Sequence, residues 1–117
     1  MKREEKKVFP TNKFQRRAFE RCLERDDSYE LFLLIATKAV KQWGKLFPHP
    51  RQQNTQKCIF LHPNGTFYTI LVVEDERSFV MKSVYRSNSV EIKFLSSSEY
   101  KAFIELKQRN RRRYDEE

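Results

Sequence analysis

Hydrophobic positions recur along this chain in two different periods, and the change falls near its middle. Between residues 12 and 25, Phe14, Ala18, Phe19, Cys22 and Leu23 return every three or four positions, the spacing of one helix face. Arg16, Arg17, Glu20, Arg21, Glu24 and Arg25 take the other face, and Thr11 or Asn12 supplies the N-cap. A second helix is predicted from Asp27, which has Glu30 three residues on as in a capping box. It holds Leu31, Phe32, Leu34, Ile35, Ala36, Ala39, Val40 and Trp43 and stops at Gly44. Apolar residues nearly encircle its first half, which predicts the most buried helix of the fold.

Residues 45–56, with Pro48, Pro50 and several polar side chains, have the composition of a loop. Beyond it the period becomes two. Residues 57–61 and 66–73 flank His62-Pro63-Asn64-Gly65, the signature of a hairpin on an Asn-Gly turn. A turn at 74–77 leads to a strand over 78–85, in which alternation puts Phe79, Met81, Ser83 and Tyr85 on one face and Val80, Lys82 and Val84 on the other. A further turn at 86–89 leads to 90–95, where Val90, Ile92 and Phe94 alternate with Glu91 and Lys93. Ser96 with Glu99 forms another capping box, opening a helix with Tyr100, Phe103, Ile104 and Leu106. The expected fold is therefore α+β: two N-terminal helices, a four-stranded antiparallel meander sheet and a C-terminal helix, with the helices on one face of the sheet.

The 117 residues fit one domain, over residues 11–108. Residues 1–10 alternate charge sign and end in proline, as a flexible basic arm does, and residues 109–117 form an Arg-rich tail. No apolar run approaches the ~20 residues of a membrane span, and the charged N-terminus lacks the apolar stretch of a signal peptide. Cys22 and Cys58 have no CxxC or Cys/His partner at ligand spacing, so they read as reduced core thiols of a cytoplasmic protein, with no metal and no cofactor expected. Two glycines are too few for a P-loop or a dinucleotide fingerprint.

Charge narrows the function. There are 24 Lys and Arg against 16 Asp and Glu, a net charge of +8, which favours an acidic partner, with RNA or another nucleic acid ahead of a membrane. Three basic groups are candidates for phosphate contact. Arg16, Arg17 and Arg21 lie on the first helix, where Glu20 and Glu24 equally suit an ordinary solvated face. Arg109, Arg111, Arg112 and Arg113 close the chain, where they also complement a helix dipole. Lys82, Arg86 and Lys93 lie on the last two predicted strands and their turn; with Tyr68 or Tyr85 nearby they offer charge and an aromatic ring on an open sheet face, as single-stranded RNA requires. Of the two histidines, His49 reads as a loop residue and His62 as a turn residue or a general base.

Two helices, the first rich in arginine, ahead of an antiparallel sheet whose penultimate strand ends Lys82-Ser83-Val84-Tyr85-Arg86-Ser87, make a layout that resembles the small endoribonucleases of the barnase, colicin and RelE superfamily. The resemblance covers residues 12–95 and is one of architecture. It implies metal-independent RNA cleavage of toxin type, with Lys82, Tyr85 and Arg86, and His62 as a further candidate, orienting the 2′-hydroxyl and stabilising the phosphorane. It also implies a neutralising protein partner. Two features depart from it: several of these nucleases have a histidine in the first helix, and RelE-type toxins commonly start with a strand. Three functions follow as expectations: a basic RNA-binding protein, a metal-independent endoribonuclease, and an interaction subunit docking on a larger scaffold.

Overall fold

The computed structural model describes residues 2–95. They belong to two compact units, Met1–Ser87 and Asn88–Glu117. The first unit contains a five-stranded mixed sheet in the order β1-β5-β4-β3-β2, with β1 at Lys7–Pro10, β2 at Lys45–Pro48, β3 at Thr55–Leu61, β4 at Phe67–Glu74 and β5 at Ser78–Arg86. β1 runs parallel to β5, and every other pairing is antiparallel. Helices α1 (Asn12–Arg21) and α2 (Tyr29–Lys38) connect β1 to β2. The α+β class is as expected, but a strand leads the helices and the sheet is mixed.

Both helices begin on side-chain caps. The Thr11 hydroxyl accepts the Phe14 N–H at 3.1 Å, and the Ser28 hydroxyl, one residue after the predicted Asp27, accepts the Leu31 N–H at 3.3 Å. The second helix does not run unchanged to Trp43. From Ala39 to Trp43 it widens into a π-helical turn, closed by Gly44 N–H donating to the Ala39 carbonyl five residues back at 2.7 Å.

One core lies between the helices and the sheet. Phe14, Ala18 and Cys22 from α1 and the residue after it meet Phe79, Met81 and Val84 of β5. Phe32, Ala36, Ala39 and Val40 meet Cys58, Phe60, Tyr68 and Ile70. Burial of this apolar surface is the main stabilising term. α2 is buried on that face alone: Leu31 and Leu34 are 56% and 51% exposed, so it is not enclosed on all sides.

Residues 3–10, expected to fray, are folded. A 3-10 turn at Arg3–Glu5 is followed by β1, whose Val8 and Phe9 lie in register with Phe79 and Val80. The Arg3 guanidinium donates to the carbonyls of Val40 at 2.7 Å, Gly44, and Ala39 at 3.2 Å, the last of which also accepts the Gly44 N–H, and so gathers the carbonyls at the end of the helix. Lys6 is buried, its ammonium 3.0 Å from Glu74 and 2.6 Å from the Asp75 carbonyl. The predicted 45–56 loop likewise hides β2, paired with β3 from Lys45↔Ile59 to Pro48↔Gln56. The two outer strands read Lys-Val-Phe-Pro and Lys-Leu-Phe-Pro.

The β3–β4 hairpin turns at Asn64-Gly65 as predicted, with Gly65 at φ 87°, where a side chain would be strained. β4 and β5 slip register once: Leu71 faces Ser83 while Val72 faces Met81, which leaves Lys82 as the extra residue of a bulge. The bulge overturns the simple alternation. Phe79, Met81, Val84 and Arg86 share the helix-covered face, and Val80, Ser83 and Tyr85 share the reverse.

The fourth strand predicted at 90–95 is instead helix α3, Ser89–Leu95, which begins the second unit. Its start is a reciprocal capping box: the Asn88 carboxamide accepts the Glu91 N–H at 2.8 Å, and the Glu91 carboxylate accepts the Asn88 N–H at 3.0 Å. The helix and tail predicted from Ser96 onward, with Arg109, Arg111, Arg112 and Arg113, lie outside the described residues.

Candidate functional site

The basic side chains of the first unit converge through the way α1 is laid on β5. Thr11 fastens the start of α1 to the bulge: its N–H donates to the Met81 carbonyl at 3.0 Å and its hydroxyl lies 3.1 and 3.2 Å from the carbonyls of Met81 and Lys82. Phe14 and Ala18 then bury against the sheet. Just past the other end of α1, Glu24 lies 3.9 Å from the guanidinium of Arg86, the last residue of β5. The helix therefore runs from Lys82 to Arg86, and its outward face carries Lys13, Arg16, Arg17, Glu20 and Arg21.

The result is a ridge with six cations, Lys13, Arg16, Arg17, Arg21, Lys82 and Arg86, against the carboxylates Glu20 and Glu24. Glu20 holds Arg17 at 2.8 Å, with Arg16 at 4.0 Å, so one carboxylate serves two guanidiniums. The Arg86–Glu24 pair is long and exposed, a contact that contributes little stability and is readily exchanged for another anion. Under the ridge the Cys22 thiol is pushed up to about 11 by burial, with Arg86 and Arg21 acting in the opposite direction. It is a neutral packing group at physiological pH.

Arg86 also borders the aromatic end of the core. Its register partner on β4 is Tyr68, whose ring packs edge-on against Phe32 at 5.3 Å and against His62 at 5.6 Å. The His62 ring stacks on Phe32 at 5.9 Å. Burial holds its pKa below the ordinary imidazole value, opposed by the hydrogen bond with Asn64 and the charge of Asp27. Nδ1 accepts the Asn64 N–H at 3.0 Å, so the neutral ring carries its proton on Nε2 and presents a donor there. His62 thus shapes the turn and caps the aromatic cluster; a base acting through Nε2 would need the other tautomer. His49 is used in the same way, its Nδ1 accepting the N–H groups of Arg51 and Gln52, each at 3.0 Å.

Within the first unit, Lys82 and Tyr85 do not gather around Arg86. Lys82 is exposed at the far end of the ridge, and Tyr85 occupies the opposite face of the sheet. Tyr68 is buried beneath the helices with its hydroxyl bonded to the Asn64 amide at 3.1 Å, so it offers no free ring for stacking. Lys93 lies on α3 in the second unit rather than on a strand. The reverse face is largely apolar, with Ile59, Leu61, Phe67, Leu71, Val73 and Val80, and the lysines in register with it are Lys45 and Lys57 rather than Lys82 and Lys93. The partner that sequence reasoning missed is Glu24, because nothing in the spacing shows that residue 24 meets residue 86.

Among the described residues, no three His, Cys, Asp or Glu side chains converge as a metal site, and no helix is long and apolar enough to cross a membrane. Comparison of the chain with family models, curated proteins and solved structures finds no match.

Proposed function

We propose that this protein binds RNA, or another nucleic acid, through phosphate contacts along the α1–β5 ridge. The observation that carries the reading is the docking of α1 between Lys82 and Arg86, which sets two cations of the sheet at the ends of a row of helix arginines. Such a row suits successive phosphates and reads no sequence by itself. Arg109, Arg111, Arg112 and Arg113 are a second source of phosphate contacts.

A second reading, metal-independent RNA cleavage of toxin type, is favoured by β1, since RelE-type members also open on a strand. In that reading Arg86 stabilises the phosphorane, and the proton acceptor is a group other than His62 Nε2.

One experiment tests both. Labelled single-stranded and structured RNA is incubated with the protein in EDTA, and retention is measured across a salt series while cleavage products are followed. Binding through the ridge gives salt-sensitive retention whose log–log slope shrinks by about 0.7–0.9 for each of Arg17→Ala, Arg21→Ala and Arg86→Ala. Glu20→Gln and Glu24→Gln, which release arginines, tighten binding. Retention unchanged in the triple arginine variant but lost in Arg111→Ala/Arg112→Ala/Arg113→Ala assigns binding to the tail and refutes the ridge. Cleavage in EDTA that disappears in Arg86→Ala establishes the nuclease, and neither retention nor cleavage refutes both readings.

A further inference from the structure

Of the large apolar side chains that the first unit leaves exposed, Phe19 alone lies on the helix that carries the arginine row. It is 54% exposed, yet its ring is held in place: it stacks on Tyr29 with the centroids 5.2 Å apart and the planes 24° from parallel. Tyr29 is the fixed member of the pair, packed against the core with its hydroxyl enclosed by protein.

The surroundings of the ring are polar. Residues three and four positions apart are neighbours on a helix surface, so Arg16 and Gln15 lie one turn before Phe19, both exposed. Long side chains lean towards the helix N-terminus, which carries Phe19 over that turn. Arg16 is the looser partner of Glu20, 4.0 Å away against 2.8 Å for Arg17, and its side chain is 64% exposed. The carboxylates on either side of Tyr29 in sequence are engaged, Asp27 accepting the Glu24 N–H at 2.7 Å and Glu30 the Ser28 hydroxyl at 3.1 Å. A flat apolar group that carries negative charge suits this setting better than an apolar protein surface does.

We infer that Phe19 is a stacking platform for one unpaired base of a bound nucleic-acid strand, with Arg16 on the adjacent phosphate and the Gln15 amide at the base edge. The base extends the Tyr29–Phe19 stack by one ring. A π face, a cation and an amide within one helical turn supply the three contacts that a single-stranded nucleotide uses, whereas a base inside a duplex has no free face to offer. The inference rests on the α1–β5 ridge as a phosphate-binding row and adds to it a preference for single strands.

Fluorescence anisotropy on the full chain with labelled single-stranded RNA, the same strand in a duplex, and an abasic strand of equal length tests it. Phe19→Ala weakens single-strand binding about tenfold, the loss of one stacked base, and leaves duplex binding, abasic-strand binding and the salt slope as in the parent. Phe19→Leu, which still covers Tyr29 but has no π face, loses as much, and Phe19→Trp recovers the affinity, with circular dichroism verifying each fold. Arg16→Ala instead lowers the salt slope. Single-strand affinity unchanged in Phe19→Ala but abolished in Arg17→Ala/Arg21→Ala/Arg86→Ala overturns the inference and leaves the ridge standing. Equal losses on the abasic strand overturn it too, because the ring then only shapes the helix. Self-association that Phe19→Ala abolishes without changing RNA affinity assigns the ring to a second copy and likewise overturns it. Absence of salt-sensitive binding to all three nucleic acids refutes the ridge, and the inference with it.

Discussion

Replacing Arg3 by alanine separates a folded N-terminus from a frayed one. The guanidinium donates to three carbonyls around the π-helical turn, those of Ala39, Val40 and Gly44. Each hydrogen bond from a charged donor contributes about 1.5–3 kcal/mol when fully buried. Arg3 is only part-buried, so water reaches the freed carbonyls after truncation, and the loss is far smaller than the sum, about 2–3 kcal/mol. In a unit of this size, that lowers the melting temperature by about 10–20 °C. Arg3→Lys keeps the charge but cannot span three acceptors, and recovers less than half of the loss. Thermal and urea unfolding followed by circular dichroism measure both variants, and hydrogen exchange at the Gly44 amide reports the turn itself. An Arg3→Ala protein that melts within about 2 °C of the parent would show that the N-terminal segment does not clamp α2.

Two further outcomes follow from the same region and from the thiols. Gly44 is chosen for space, since its φ of −68° suits any residue: a Cβ there collides with Cys58 Sγ and comes within 2.8 Å of the Ala39 carbonyl. Gly44→Ala is expected to cost about 1–3 kcal/mol in urea titrations and less in a Cys58→Ala background; equal costs in both would refute the contact. Burial pushes the Cys58 thiol up to about 12 and Cys22 up to about 11, from an ordinary 9.0. Above pH 9 the unfolded chain therefore loses thiol protons that the folded chain retains. Stability is complete below that pH and falls as pH rises towards 11 and 12, by about 1.4 kcal/mol per pH unit for each thiol. Urea unfolding between pH 8 and 10.5 checks this, and a Cys22→Ala/Cys58→Ala protein with the same alkaline slope as the parent would refute it.

What the sequence revealed was local. Thr11 announced α1, and Asn64-Gly65 announced its hairpin, because in each case the deciding contact lies within three or four residues. β1 and β2 escaped notice because four residues cannot display a period, and their strand conformation is dictated by β5 and β3, which lie some 70 and 10 positions away. At Val90, Ile92 and Phe94 the alternation suggested a strand, whereas the competing signal, Asn88 with Glu91 three residues on, prevailed. The site followed the same rule. Arg16, Arg17 and Arg21 share one helix face by periodicity alone, but the bulge at Lys82, which inverts the alternation after it and so puts Arg86 on the helix-covered face and Tyr85 on the reverse, is a property of the β4–β5 pairing and not of β5 itself.

The outer strands, Lys-Val-Phe-Pro and Lys-Leu-Phe-Pro, also govern how crowded copies of this molecule behave. An incoming backbone finds only four residues on either margin, met by a lysine at one end and a proline without an N–H at the other. Where β5 extends beyond β1, the margin is interrupted at once by the Lys82 bulge. Strand-by-strand extension into a cross-β fibril, which needs a free backbone edge, is thereby hindered along both margins of the sheet.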